Sequence, residues 1–289
     1  MGAYWFRRSF QEDTDHDLDV TVFDDRFVRD RIGTGRYIEL ETKGFVVTPG
    51  HVMTDIHTPL QETDTIQDTA VKYIKRGCTL LVVKHLVSSL RHYREVYDQF
   101  IEKLKGLPLH YMVSPVVPSK ILRPEMIRYF SRKGCPFLCV EVASREDLQE
   151  VAWEWIVQAQ SYKRMPLTIF VKDRENTSFN YQELWSSVCK QYGIINLTDL
   201  QEDEWLTFQN LKDSGIYPKR GWFAAGGQAD YNLYWVGEGA TFDEETKFRY
   251  HDAVPNVTVM DGRISQVSQT MVDQRPGSHV KVNIHKHFV

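Results

Sequence analysis

The sequence predicts an α/β protein: a parallel sheet, in a barrel or doubly wound arrangement, between β structure at both ends of the chain. Three observations carry this. Apolar runs such as Cys78–Val83 and Pro166–Val171 alternate with stretches of helical period, the pattern of strands buried on both faces. Polar and apolar residues alternate one by one only towards the two ends, as in Tyr37–Glu41, Asn232–Val236 and Val257–Met260. A chain of 289 residues with 42% hydrophobic content is long enough for one large core and a satellite.

Taken in order, Trp5 to Val47 reads as short extended pieces separated by acidic turns at Asp13–Asp19 and Asp24-Asp25. Pro49-Gly50 marks the change to alternating strand and helix. After the strand Cys78–Val83, Leu90, Tyr93, Tyr97, Phe100, Ile101 and Leu104 recur at three- and four-residue spacing, giving a helix from about Ser89 with one buried face, ended by Gly106. The unit repeats as strand 109–117 with helix 124–133, which has Pro124 in its first turn, and as strand 136–142 with helix 145–162. Ser144 and Asp147 resemble a capping box, with Asp in place of Glu. The apolar strand Pro166–Val171 ends at Lys172-Asp173-Arg174-Glu175. Helices then follow near Tyr181–Tyr192 and at Asp199–Lys212, the second capped by Thr198 and stopped by Gly215. From Trp222 the chain returns to β structure, with Asp261-Gly262 as a tight turn.

Charge and composition narrow the function. A net charge of -4 and short basic clusters (Arg7-Arg8, Lys163-Arg164) give no stripe for a phosphate backbone, so no nucleic-acid partner is expected. Apolar runs fall short of the ~20 residues of a spanning helix, and the first residues lack the apolar core of a secretion signal. A membrane role is not expected, and the expected location is cytoplasmic. The four cysteines, Cys78, Cys135, Cys139 and Cys189, sit in apolar stretches without metal-ligand spacing and read as buried thiols in a reducing compartment.

The stretch GIYPKRGWFAAGGQADYNLYWV, Gly215–Val236, resembles the segment by which dihydroorotases, hydantoinases and allantoinases of the amidohydrolase family leave their barrel and enter a β-sandwich. Val254–Ile264, with Asp261-Gly262-Arg263, resembles the closing strand and turn of that sandwich. Phe45–Gly50 resembles the approach to the first barrel strand, and Gly77-Cys78-Thr79 the second. The resemblance implies a TIM-type (β/α) barrel, residues 49–215, carrying a composite β-sandwich of residues 1–48 and 216–289. Residues 45 to 215 are too few for the ~250 of a closed eight-unit barrel, so the barrel is expected to be truncated or incomplete.

The resemblance also implies one or two metal ions held by a His-x-His pair, a carbamylated Lys, two further His and an Asp. Those positions are substituted here. Ungapped alignment from Pro49-Gly50 puts Asp55 at the first His and His57 at the second; a shift of two keeps His57 and brings Pro59 to the other. Cys139 stands where the bridging Lys is expected, Phe170 where a later ligand is expected, and no histidine occurs between His110 and His251. No catalytic or metal residues are therefore assigned. A relic pocket of Asp55, His57, Lys84, His85 and Cys139 remains, with Lys84 and His85 read as a solvated loop start. The expected function is that of a non-catalytic, pseudo-dihydroorotase protein without cofactor. It would act by ligand binding or by protein contacts, as a homo-oligomer or on an active amidohydrolase or transcarbamoylase-type partner. The alternative is a metal-dependent hydrolase of cyclic amide C–N bonds, using zinc in a rearranged site.

Overall fold

The computed structural model describes residues 3–6, 19–29, 37–55, 60, 65–171, 180–197, 200, 205–236, 254–273 and 275–284. Two antiparallel-rich sheets and one parallel sheet organise them. Strands β1 (Ala3–Phe6), β2 (Val20–Phe23), β3 (Arg26–Val28) and β4 (Ile38–Leu40) form a sheet of order β3-β2-β1-β4. Strand β5 (Phe45–Pro49) leaves for a second sheet, and β6 (His51–Thr54) begins the parallel one.

Alternation of strand and helix then builds the parallel sheet in sequence order. Helix α1 (Ile66–Lys75) leads to β7 (Cys78–Leu86), α2 (Tyr93–Lys103) to β8 (His110–Pro118), and α3 (Pro124–Lys133) to β9 (Leu138–Val142). Helices α4 (Arg145–Gln149) and α5 (Trp153–Gln160) lead to β10 (Leu167–Val171), which α6 (Tyr181–Tyr192) follows. The five strands lie in the order β10-β9-β8-β7-β6, all parallel. Sequential order with right-handed crossovers places the helices on one face. That face holds the main core, with Leu81, Val83, Tyr111, Val113, Leu138, Val140, Leu167 and Ile169 packed under the helices.

The opposite face is also covered. Helix α7 (Phe208–Asp213) brings Leu211 onto Val52, Leu80, Val82, Met112 and Phe137, with Leu197, Leu206 and Ile216 alongside. The same segment meets both edges of the sheet. On β10, Leu167 N–H donates to Ile195 O at 2.9 Å and Leu197 N–H to Leu167 O at 2.8 Å; on β6, Leu206 N–H donates to Val52 O at 2.8 Å. Side chains from both edge strands line one cavity, so the sheet is curled, half of a barrel.

Strands β11 (Tyr231–Trp235), β12 (Val257–Met260), β13 (Arg263–Val267) and β14 (Thr270–Met271) complete the remaining sheet in the order β14-β13-β12-β11-β5. Because β5 pairs with β11, residues from both halves of the chain share it. Phe6, Val22 and Phe27 of the first sheet pack on Val47, Tyr231 and Val259 of this one.

Three elements differ from the sequence reading, and α1 was not singled out by it. The expected helix 145–162 is two helices: the Trp153 indole N–H donates to Leu148 O at 2.7 Å and takes the carbonyl at the break. Ser144 and Asp147 do form the capping box. The expected helix 199–212 begins only at Phe208, because Trp205 and Leu206 are extended along β6 and the Thr207 hydroxyl accepts Asn210 N–H as the cap. Thr198 lies outside the described residues. Lastly, residues 275–284 do not join the antiparallel sheet. They run beneath the parallel one, where β8 starts well before its neighbour β9 and leaves backbone groups open. Tyr111 N–H donates to Ser278 O, Val280 N–H to Tyr111 O, and Val282 N–H to Gly134 O. Gly277 allows this approach, since a Cβ there would lie 2.2 Å from the carbonyl carbon of Leu109.

The sheets meet at a buried ionic cluster. The Arg220 guanidinium donates to Asp230 and, at 2.8 Å, to Asp261; Asp261 also accepts from His110 Nε2 at 2.7 Å and from Gln228. Arg220→Met strands Asp230, which is 1% exposed, without its cation. This variant is expected to lose about 3–5 kcal/mol in urea unfolding, and Arg220→Met with Asp230→Leu to recover part of the loss because no lone charge remains buried.

Candidate functional site at the mouth of the parallel sheet

Strand periodicity builds the site. Side chains two residues apart on a strand share a face, so the concave face that presents Val52, Val82, Met112 and Phe137 presents next, towards the strands' C-terminal ends, Thr54, Lys84, Ser114 and Cys139. Strand β10 adds Thr168 and Phe170 to the same face. Val82, Phe137, Thr54, Lys84, Ser114, Cys139, Thr168 and Phe170, with Asp55, Val116, Ile169, Val171 and Leu200, line a partly open cavity of about 40 Å³. That is room for roughly three waters.

Each sequence-predicted site residue can now be placed. Asp55, Lys84 and Cys139 come together at the cavity. Asp55 is fully buried and uses both carboxyl oxygens on backbone donors, Leu60 N–H at 3.0 Å and Lys84 N–H at 2.6 Å. Burial outweighs those hydrogen bonds and pushes its pKa up to about 8. Lys84 is not a solvated loop residue: it is half-buried, with its ammonium 3.8 Å from the centre of the Phe170 ring. Cys139 is a thiol, pushed up to about 12 by burial.

His85 does not belong to this group. One residue along β7 from Lys84, it points to the other face, stacked on Phe100 and edge-on to Tyr97 of α2. Burial lowers its pKa to about 4, so it is a neutral core residue. His57 lies outside the described residues.

The described donors do not fit a zinc ion of the kind the resemblance implies. No group of three His, Cys, Asp or Glu converges among the described residues. Asp55 holds its oxygens towards backbone N–H groups, the Cys139 sulfur is protonated, and Lys84 already brings a positive charge into the cavity. The cavity-lining polar residues that the sequence does not single out are Thr54, Ser114 and Thr168. Their signal was available in the two-residue spacing from each strand's inward apolar residue.

With this geometry established, comparison with solved structures identifies the fold. A dihydropyrimidinase from Brevibacillus agri aligns at a TM-score of 0.58 and 14% identity, over 98% of this chain and 99% of that one. A D-hydantoinase from a Bacillus species gives 0.58 and 13% over 98% and 99%, and a triazine hydrolase from Arthobacter aurescens 0.52 and 11% over 94% and 96%. The chain thus has the fold of these amidohydrolases, and the resemblance read from Gly215–Val236 holds at that level. No family model matches the chain, and no curated protein matches it in sequence. Among the described residues no helix is long and apolar enough to cross a membrane.

The pKa of Asp55 gives a stability signature. A carboxyl whose folded pKa lies above its unfolded value of ~3.9 binds its proton more tightly when folded, so its contribution is complete below pH ~3.9 and is lost as pH rises through about 8. Wild type should therefore lose stability between pH 5 and 8 more steeply than Asp55→Asn, by up to about 1.4 kcal/mol per pH unit. Parallel slopes of the two proteins in urea melts across that range would contradict the assignment.

Proposed function

We propose that this chain hydrolyses a ring C–N bond of a small cyclic amide at the C-terminal ends of β6 to β10, the scissile carbonyl reaching into the cavity and the rest of the ring lying in its open mouth, within an incomplete TIM-type (β/α) barrel. Parallel α/β folds build their sites at that end of the strands. The observation that carries the reading is the alignment along nearly the whole chain with a dihydropyrimidinase, D-hydantoinases and a triazine hydrolase. In this reading the Lys84 ammonium polarises the ring carbonyl. Water supplies the oxygen that joins the carbonyl carbon, the C–N bond breaks, and one of the water's protons passes to the leaving nitrogen while the other stays with the new carboxyl group. Because the described donors do not suit a metal, no step is assigned to one. The zinc alternative rests on His57.

A second reading has its own support. Asp55 spends both oxygens on backbone N–H groups, as expected of a residue kept to tie the end of β6 to β7 through Lys84 and to Leu60. The chain would then be a non-catalytic member of this fold, acting by ligand binding or by contact with a second copy or an active amidohydrolase or transcarbamoylase-type partner.

One experiment separates the readings. Protein purified without chelator is assayed for metal, then incubated with dihydrouracil and hydantoin while ring opening is followed. Turnover that falls at least about tenfold in Lys84→Met supports the hydrolase. A saturable rise in melting temperature without turnover supports the non-catalytic binder. Neither turnover nor binding removes the cavity from both readings, and light scattering then tests self-association. Stoichiometric zinc together with turnover would transfer the chemistry from Lys84 to a centre including His57.

A further inference from the structure

The cavity contains polar groups whose partners the chain does not supply. Thr54 is 5% exposed, lines the cavity, and its Oγ1 is buried without a hydrogen-bond partner among the described residues. A buried hydroxyl left unpaired costs about 1–3 kcal/mol, so such groups generally mark a bound molecule or ordered water. Thr168 brings a second hydroxyl from the opposite edge strand. Ser114 is already committed, donating to Phe137 O at 3.1 Å.

Charge gives this polarity a sign. Lys84 offers three N–H donors and no acceptor, rests on an aromatic face, and has no carboxylate within ion-pair distance among the described residues. The two titratable groups sharing its cavity are Asp55 and Cys139, both shifted by burial towards their neutral forms. Around neutral pH the described lining therefore has its positive charge on Lys84, with hydroxyls at hand and apolar walls of Val82, Val116 and Phe137.

We propose that this cavity is a binding site for a small carboxylate, one oxygen on the Lys84 ammonium and the other on the Thr54 and Thr168 hydroxyls, with a short apolar chain against Val116 and Phe137. A planar anion of one to three carbons suits a volume of about 40 Å³. The inference deepens the proposed function, because hydrolysis of a cyclic amide produces a carboxylate. It rests on that reading only for biological meaning, since the site is built from side chains present with or without turnover.

The test uses the full chain with formate, acetate and propionate as probes, chloride and acetamide as controls at matched ionic strength, and both melting temperature and amide chemical shifts as readouts. Saturable effects are expected from the carboxylates alone. Lys84→Met should weaken them at least about tenfold and Thr54→Val several-fold, as loss of a charge-assisted and a neutral hydrogen bond predicts. If Lys84→Met does not fold, the isosteric Thr54→Val and the acetamide control carry the test. The proposal is overturned if no carboxylate saturates, if acetamide competes equally, or if Lys84→Met binds like wild type. Ring-opening turnover without carboxylate binding would remove this proposal and leave the hydrolase; carboxylate binding without turnover would do the reverse.

Discussion

The structure depends on one buried cation. Arg220 is 6% exposed and is held between Asp230, in the approach to β11, and Asp261, in the turn between β12 and β13. Burial alone would push the Asp261 carboxyl up, yet the His110 hydrogen bond and the Arg220 charge hold it well below the usual carboxylate range. His110 begins β8, and its other ring nitrogen, Nδ1, is hydrogen-bonded to Ser278 of the segment beneath the parallel sheet. Four stretches well separated in sequence must therefore be in place together before every one of these groups has its partners. Replacing such a cluster by apolar residues can leave a protein as stable or more so. What the cluster contributes here is register, since it fixes where the antiparallel sheet's turns sit against the first residues of β8.

That register explains how half a barrel survives in water. A curled parallel sheet of five strands has two open edges and an uncovered concave face, and each would template association if left free. The chain covers all three with pieces that follow the last strand. Residues 195–197 bond to β10 and Leu206 to β6, while Leu211 and Ile216 fill the lower part of the concave face. The strap 275–284 takes the open backbone groups at the start of β8. The same covering sets the size of the site. With the lower concave face packed solid, space is left only at the level of Thr54, Lys84, Ser114, Cys139 and Thr168.

Much of this fold could be read from the sequence, because its signals are local. Apolar runs pointed to β7 and β10, Pro124 marked the first turn of α3, and Ser144 with Asp147 marked the start of α4. Long-range competition decided the remainder. Trp205, Phe208 and Leu211 follow one another at three-residue spacing, as on a helix, but the backbone of Trp205 and Leu206 is taken by β6; the strap has no period because it serves open backbone groups in another element. The site was legible in part for a related reason. Asp55, Lys84 and Cys139 stood out as residue types able to hold metal or charge, whereas Thr54 and Thr168 resemble ordinary strand residues until their facing is known. His85 misled because adjacency in sequence means opposite faces on a strand.

The chemistry of the mouth follows from what a divalent ion and an ammonium each require. A metal centre concentrates anionic and lone-pair donors around an added cation, and a fixed ammonium raises the cost of adding one. At about 4 Å each pair of unit charges repels by about 4 kcal/mol at an effective dielectric of ~20. Lys84 and a divalent ion are thus alternatives within one small cavity. The remaining lining agrees with the lysine. Phe170 offers an aromatic face, which attracts a cation without giving it a lone pair. Asp55 turns its oxygens to the backbone, one to Lys84 of β7 and the other to Leu60. A metal-centred site would have to undo both arrangements at once, whereas an anionic ligand has to undo neither, so the electrostatic character of the pocket is already decided by the side chains that build it.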